Sequence, residues 1–349
     1  MRGLVVLIAR LAHPVVSHEP LKIVTWEESL LKKLFAVAFA LTGLLSIPAM
    51  AQTYPAKPVT MIVPFAAGGP TDIVARFVSE HMSRTLGQQI VVENVAGAGG
   101  TTGITRAAQA APDGYTIMMG HMGTHGAAPA LYPGLKYDPT TLVPVGIAAS
   151  TPILIVGSMK FAPKTLQEFV TYAKANPDKL NQAHAGIGSV SHSTCVMLNG
   201  QLGVKPTAVP YTGTGPALND MISGQVDFMC DQIVNLAEQI RGGAIRAYAI
   251  ASPERSPALP DVPTTIEAGL PDYQVIAWNA IFAPVGTAPE ITARLNEALG
   301  KALADEGTRT RLLNVGAVLP TAAERTQAYL GDFVKAEVVR WNKALAAAK

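Results

Sequence analysis

Short apolar segments alternate with amphipathic segments along most of this chain of 349 residues. Segment 59–63 has the length of a strand, and 71–86 repeats apolar residues on one helical face until Gly87 ends it. Because strands that alternate with helices favour mostly parallel sheets, we expect an α/β fold. The same alternation predicts further strands at 89–93, 115–119, 152–156, 180–185, 207–209, 226–229 and 245–250, and further helices at 101–111, 165–175, 189–202, 215–223 and 233–240.

Length and charge limit the classes of protein that this chain can be. The length predicts about two domains, each large enough to bury its own core. Apolar residues make up 49% of the chain, which excludes a disordered chain, and the alternating pattern excludes a coiled coil. The net charge of +2 is too even for a protein that binds nucleic acid through a basic face, so we expect no nucleic-acid partner.

The first 51 residues contain the three parts of a secretory signal peptide. Lys32 and Lys33 precede the uncharged apolar stretch 34–47, and Ala49 and Ala51 form a small-residue cleavage site. We expect cleavage after Ala51 and export to the periplasm. Residues 1–30 carry acidic side chains that do not suit a signal peptide. We therefore interpret 1–51 as the signal peptide preceded by an extension that results from a start codon assigned too early. True initiation would fall within 24–30.

Cys195 and Cys230 are the two cysteines of the chain. Export would place them in an oxidising compartment, where they could pair. A two-domain protein of this size does not need a covalent cross-link, however, and free buried cysteines are common. The sequence therefore leaves the pairing open and favours two free cysteines.

Four loops share one design, in which a strand end is followed by a glycine-rich or small polar turn and a helix start. The unpaired N–H groups at a helix start can bind an anion. In the first loop, Asp72 is placed to cap such donors and to pair with Arg76 one helical turn later. A plain strand-to-helix turn explains any single loop about as well, but a fourfold repeat is harder to explain in that way. The four loop segments are 64–72, 97–103, 185–192 and 210–218.

Two enzyme classes are alternatives to a binding protein. The loop at Gly97 fails the dinucleotide fingerprint because Thr102 stands where glycine or alanine is needed, although its N–H groups could still face a ligand. An exported hydrolase could use Ser189 or Ser191 with His192, but the G-x-S-x-G elbow is absent. A lone histidine in the first turn of a helix is more often a hydrogen-bonding residue than a catalyst.

His121 and His125 have the spacing of a helical metal-binding pair. The surrounding glycines, at 120, 123 and 126, argue against a helix there. We therefore expect an irregular loop with two polar residues and no metal site.

Several segments, taken in order, resemble the Bug family, the extracytoplasmic solute receptors of tripartite tricarboxylate transporters. The resemblance covers residues 53–349. The segments that carry it are Tyr54-Pro55-Ala56-Lys57-Pro58-Val59, Ile62-Val63-Pro64-Phe65 with Gly68-Gly69-Pro70-Thr71-Asp72, Val92-Glu93-Asn94 with Gly97-Ala98-Gly99-Gly100, Pro112-Asp113-Gly114-Tyr115, Val209-Pro210-Tyr211 with Gly213, and Asp261-Val262-Pro263-Thr264 with Glu267-Ala268-Gly269.

The resemblance implies a type II periplasmic binding fold, in which a hinge joins two α/β lobes around a ligand cleft. Lobe 1 would comprise 52–155 and 275–349, and lobe 2 would comprise 156–274, with the apolar run 273–282 crossing back to lobe 1. It also implies a monomeric, non-enzymatic receptor without a cofactor, which binds a small carboxylate and delivers it to membrane permease subunits. The implied ligand-binding residues are Phe65, Gly68, Gly69, Thr71 and Asp72 from lobe 1, and Gly188, Ser189, His192, Tyr211, Gly213 and Asp231 from lobe 2.

Overall fold

The computed structural model describes residues 54–347. The signal peptide, the start codon and the cleavage site predicted above lie outside the described residues. Within 54–347, no helix combines the length and the apolar character that crossing a bilayer requires.

The first sheet contains five strand segments. They are β1 (Val59–Val63), β2 (Ile90–Asn94), β3 (Thr116–His121), the first part of β4 (Val143–Ser158) and β9 (Ile276–Ala283). Their order across the sheet is β2-β1-β3-β9-β4. Strand β1 pairs in parallel with β2 and β3, whereas β9 is antiparallel to both β3 and β4.

The second sheet shares β4 with the first. Its other strands are β5 (Asn181–His184), β6 (Thr207–Pro210), β7 (Phe228–Gln232) and β8 (Ile245–Ile250). Beyond Pro152, β4 no longer pairs with β9 and instead pairs in antiparallel register with β7 and β8, while β5 pairs in parallel with β6 and β7. One continuous strand thus belongs to both sheets.

Helices follow most strands and cover the sheets, which confirms the predicted α/β class. In α1, the predicted apolar face is buried at Val74, Val78 and Met82, in one core cluster with Leu295 and Leu299 of α8. Burial of each such side chain contributes roughly 1.5–3 kcal/mol. The helices are α1 (Pro70–Leu86), α2 (Thr101–Ala108), α3 (Ala128–Leu131), α4 (Leu166–Ala175), α5 (Val190–Leu202), α6 (Thr214–Ser223), α7 (Ile233–Arg241), α8 (Pro289–Ala304), α9 (Glu306–Asn314) and α10 (Gln327–Ala347).

Strand β4 is much longer than the predicted segment 152–156. It runs from Val143 to Ser158 and contains register shifts between Pro144 and Gly146 and between Ile147 and Ala149. Proline, glycine and small residues interrupt the apolar run in its first part, so the sequence pattern there does not indicate a strand. Pairing with β9 nevertheless holds this part in the sheet.

The predicted loop around His121 and His125 is wrong. Met122–Ala127 forms a buried π-helix that continues into α3, and the His121 side chain caps its start. The glycines here permit close packing instead of breaking the chain. A Cβ atom on Gly123 would meet the carbonyl oxygen of Gly188.

Cys195 and Cys230 form a disulfide, which corrects the expectation that they are free. Their Cα atoms lie 5.4 Å apart, because α5 packs directly on β7. Pairing depends on the distance that the fold sets between the two cysteines, not on whether a protein of this size needs a cross-link. The fold instead brings two fully buried cysteines into contact distance.

Candidate functional site

All four predicted loops follow the carboxyl end of a strand, and they meet in space. We call them loop 1 (64–69), loop 2 (95–100), loop 3 (185–189) and loop 4 (211–213). Loops 1 and 2 leave the first sheet, and loops 3 and 4 leave the second. The Ala66 N–H of loop 1 donates to the Thr212 carbonyl of loop 4 at 3.3 Å. The two sheets therefore face each other across these loops, where ligands commonly bind in α/β proteins.

Loops 2 and 3 touch equally closely. The Tyr132 hydroxyl lies 2.9 Å from the Ala98 carbonyl oxygen of loop 2 and 2.6 Å from the Ile187 carbonyl oxygen of loop 3. Gly99 has φ +61°, and a Cβ there would overlap the Ile187 carbonyl oxygen. Glycine at this position thus permits the close approach of the two loops.

A cavity of about 20 Å³ lies where the loops converge. A space of this size holds about one water, so binding of a metabolite requires the loops to move apart. Residues from both sheets form its wall: Phe65, Pro70, Thr71, His121, Ala185, Ser189, Val190, Ser191, Thr214, Asp231 and Gln232.

The starts of four helices surround this cavity. Helix α1 begins at Pro70, α5 follows Ser189, α6 begins at Thr214, and α7 follows Gln232. The N-terminus of each of these helices carries about half a positive charge and unpaired N–H groups, which favour an anion. Among the described residues, the cavity wall contains no lysine and no arginine. Any attraction for an anion therefore comes from peptide dipoles and neutral donors.

Asp72 supports loop 1 from behind. Its carboxylate accepts hydrogen bonds from the Gly68 N–H at 3.0 Å, from Arg76 at 2.9 Å and from Asn94 at 2.9 Å. Burial raises the pKa of Asp72, but these hydrogen bonds more than offset that effect, so the pKa lies below its usual value. The predicted cap and ion pair are both present, and Asp72 is not part of the cavity wall.

Ser189 of loop 3 and Ser191 of α5 both belong to the cavity wall. Ser189 Oγ accepts from the His192 N–H at 3.1 Å as the N-cap of α5, and it lies 3.2 Å from Ser191 Oγ. The Nδ1 atom of His192 accepts from the Gly188 N–H at 3.3 Å. No hydrogen bond joins the His192 ring to either serine hydroxyl in the described chain, so the nucleophile–base pair of a hydrolase is not formed there.

His121 is a wall residue that the sequence did not suggest. Its Nδ1 accepts from the N–H groups of Gly123 at 2.8 Å and Thr124 at 3.3 Å, which places the ring proton on Nε2. Its ring stacks on Phe65 with centroids 4.9 Å apart. Burial lowers the pKa of His121 to about 3, so the ring is a neutral donor.

Asp231 and Gln232 end strand β7 at the cavity. Gln232 Oε1 accepts from Thr151 of β4 at 2.5 Å and from Asn279 of β9 at 3.0 Å. These bonds tie the cavity wall to β4, which belongs to both sheets, and to β9 of the first sheet, and they leave the Gln232 amide hydrogens for a ligand. Asp231 is 1% exposed, and its Oδ2 accepts from Asn235 at 3.0 Å.

The structure brings part of the predicted site together. Phe65, Thr71, Ser189 and Asp231 line the cavity, and Gly69 and Gly213 cap the helices α1 and α6 beside it. Gly68 and Gly188 instead donate their N–H groups to Asp72 and His192. The side chains of the other predicted residues have partners outside the wall; for example, the Tyr211 hydroxyl donates to Asp220 at 2.6 Å. The wall residues that were not predicted as ligand-binding are Pro70, His121, Ala185, Val190, Ser191, Thr214 and Gln232.

Two sheets joined by crossing strands, with a cavity between facing loops, define a type II periplasmic binding fold. Residues 74–348 match the tripartite tricarboxylate transporter family receptor. The chain belongs to this family and is thus a periplasmic solute-binding receptor.

Known proteins agree with this assignment over most of the chain. MatC from Rhodopseudomonas palustris, solved with bound malate, is 50% identical with a TM-score of 0.82, over 84% of this chain and 100% of that one. The periplasmic binding protein BugD is 43% identical with a TM-score of 0.82, over 84% and 98% of the two chains. The UPF0065 protein in the TAR-I ttuE-ttuC' intergenic region of Agrobacterium vitis is 42% identical over 89% of this chain and 91% of that protein. The resemblance to Bug receptors is therefore confirmed.

Proposed function

We propose that this receptor captures a small dicarboxylate such as malate and delivers it to the permease subunits of a tripartite transporter. The observation that carries the proposal is the convergence of four helix starts on one small cavity whose wall, within the described residues, contains neither lysine nor arginine. Peptide N–H groups, serine and threonine hydroxyls and the His121 Nε2–H offer donors on several sides. The similarity to MatC with bound malate supports a four-carbon ligand.

Capture would follow from closure of the two lobes, which we assign to 52–155 with 275–349 and to 156–274. The change of partners within β4, beyond Pro152, supports a hinge at the crossing strands. The hydrogen bond between loops 1 and 4 would belong to the closed arrangement, and opening would break it. A ligand that bridges both lobes stabilises the closed form by its differential affinity for the two states.

Export and assembly complete the proposal. Cleavage after Ala51 would release a monomeric receptor into the periplasm, where it meets the permease. N-terminal sequencing of protein from the periplasmic fraction should begin at Gln52, and light scattering should give the mass of one chain. A different first residue, or a dimer mass, would contradict these two parts of the proposal.

Calorimetric titration of the purified receptor with malate tests the ligand class. Ser189→Ala removes a cavity hydroxyl, so we expect at least a tenfold loss of affinity, because a hydrogen bond to a charged group contributes about 1.5–3 kcal/mol. Ser193→Ala is the matched control, since Ser193 is a buried serine on the same helix that is not in the cavity wall. Equal affinity of Ser189→Ala and wild type, or no binding of any small carboxylate, would overturn the proposed function.

A further inference from the structure

One carboxyl group stands in the wall of a cavity that otherwise offers donors. Asp231 comes from the end of β7, is 1% exposed and lies among the cavity-lining residues. Its Oδ2 accepts the Asn235 amide at 3.0 Å, and its Oδ1 has no hydrogen-bond partner within the described part of the chain. An ionised carboxylate in this position would face an anionic ligand at short range without a cation to balance it.

We propose that Asp231 is protonated when ligand binds and donates its Oδ1 proton to a carboxylate of the ligand. The proposal rests on the proposed function, because it assigns a chemical role to one wall residue of that same site. The hydrogen bonds of Asp231 indicate which of its two carboxyl oxygens carries the proton. Oδ2 is occupied as an acceptor by Asn235, so the proton belongs on Oδ1, the free oxygen of the carboxyl group. A carboxyl–carboxylate hydrogen bond is charge-assisted and therefore strong.

Burial disfavours the ionised form of Asp231 more than the neutral donors around it favour that form. On β4 its register partner is Leu154, and α6 and α7 contribute the uncharged Thr214 and Asn235. Burial raises the pKa of Asp231 to about 7, although the nearby donors Gln232, Thr214 and Asn235 lower it. A bound dianion would raise this pKa further, so binding above pH 7 takes up a proton from solvent.

Other titratable groups around the site keep one charge state between pH 6 and 9. Burial lowers the pKa of His121 to about 3 and that of His192 to about 4, so both rings stay neutral. The pKa of His184 on β5 is also lowered by burial. Asp72 stays ionised beside Arg76, since its pKa lies below the usual value. Asp231 is thus the wall residue whose titration falls in this pH range.

The pH dependence of malate affinity tests the proposal. Carboxylic acids ordinarily titrate well below pH 6, so malate is largely a dianion at pH 6 and fully so at pH 8. We expect the dissociation constant to be about tenfold larger at pH 8 than at pH 6, because only the protonated receptor binds. Calorimetry in buffers of different ionisation enthalpy should show uptake of about 0.9 proton per malate at pH 8. Affinity that is constant, or that improves as the pH rises, would overturn the proposal.

Asp231→Asn is the matched variant, because its amide donates from the same position without a titrating proton. We expect this variant to bind malate with similar affinity at pH 6 and pH 8 and without proton uptake. Loss of binding in Asp231→Asn at both pH values, in a protein with wild-type circular dichroism, would show that the carboxylate acts as an acceptor and would contradict the proposal.

Infrared spectroscopy of the ligand-free protein separates this proposal from the proposed function. The protonated carboxyl band of Asp231 should be present at pH 6, weaken towards pH 8 and be missing from Asp231→Asn. If malate fails to bind but the band titrates in this way, the ligand assignment is wrong and the acid form of Asp231 stands. If malate binds and the band is absent at pH 6, the proton-donor role is wrong.

Discussion

At the scale of single residues, the cavity wall offers neutral donors, and the charged residues nearby lie outside it, where they hold a loop in place. The imidazole of His121 and the hydroxyl of Ser189 reach the cavity, whereas the ion pair of Asp72 with Arg76 lies behind loop 1. Ser189 lies in a loop that the sequence predicts between a strand and a helix start, whereas Asp231 was implied only by the family resemblance. The sequence could not predict His121, since its role depends on a buried π-helix that no apolar period indicates.

Asp72→Ala tests whether the residues that hold loop 1 in place also affect ligand binding, although they lie outside the cavity wall. Without the carboxylate, the Gly68 N–H and Arg76 lose their acceptor, so loop 1 loosens. We expect malate affinity to fall by about tenfold and the free energy of unfolding by about 1–3 kcal/mol, measured by calorimetry and by urea denaturation. In wild type, the stability that Asp72 contributes should be present at neutral pH and lost as the pH falls through its lowered pKa. Unchanged affinity would show that loop 1 does not shape the site.

At the scale of helices and strands, regular periodicity made most elements predictable. The sequence missed the first part of β4 because proline, glycine and polar residues interrupt it, and pairing with β9 stabilises it instead. It also missed the disulfide, because the contact between α5 and β7 depends on the tertiary fold. This disulfide joins the helix that begins at Ser189 to the strand that ends at Asp231 and Gln232. One cross-link therefore holds two sides of the cavity wall together.

The double variant Cys195→Ala, Cys230→Ala tests the cross-link. The bridge closes a separation of 35 residues, and chain-entropy arguments give such a loop about 3–4 kcal/mol of stability. We expect a comparable loss in urea denaturation and a weaker affinity for malate. Wild type unfolded in the presence of a reductant is the control and should match the variant. Equal stability of wild type and variant under oxidising conditions would contradict this prediction.

At the scale of the whole molecule, closure depends on how near the loops of the two sheets can come. Loop 2 meets loop 3 at Gly99, which has φ +61° and lies against the Ile187 carbonyl. The glycine-rich pattern of loop 2 was visible in the sequence. The sequence did not show that loop 3 is the contact partner of loop 2, because the two loops are far apart in the chain and meet only through the fold.

Gly99→Ala should favour the open molecule. A Cβ atom there would overlap the Ile187 carbonyl oxygen, and the backbone conformation itself is unfavourable for alanine by about 1–2 kcal/mol. We expect a larger radius of gyration in small-angle X-ray scattering with saturating malate, and at least a tenfold loss of affinity. Gly134→Ala is the control, since a Cβ there would meet nothing within 4 Å. Identical scattering of Gly99→Ala and wild type would show that this contact does not limit closure.

The double attachment of Gln232 restricts how receptors of this kind can diversify. Its side-chain Oε1 accepts from Thr151 of β4 and from Asn279 of β9, and the same side chain forms part of the cavity wall. A substitution at 232 would alter ligand preference and the flexibility of the crossing at once. Evolution towards new nutrients should therefore spare this position and act on wall positions whose side chains hold no second element in place.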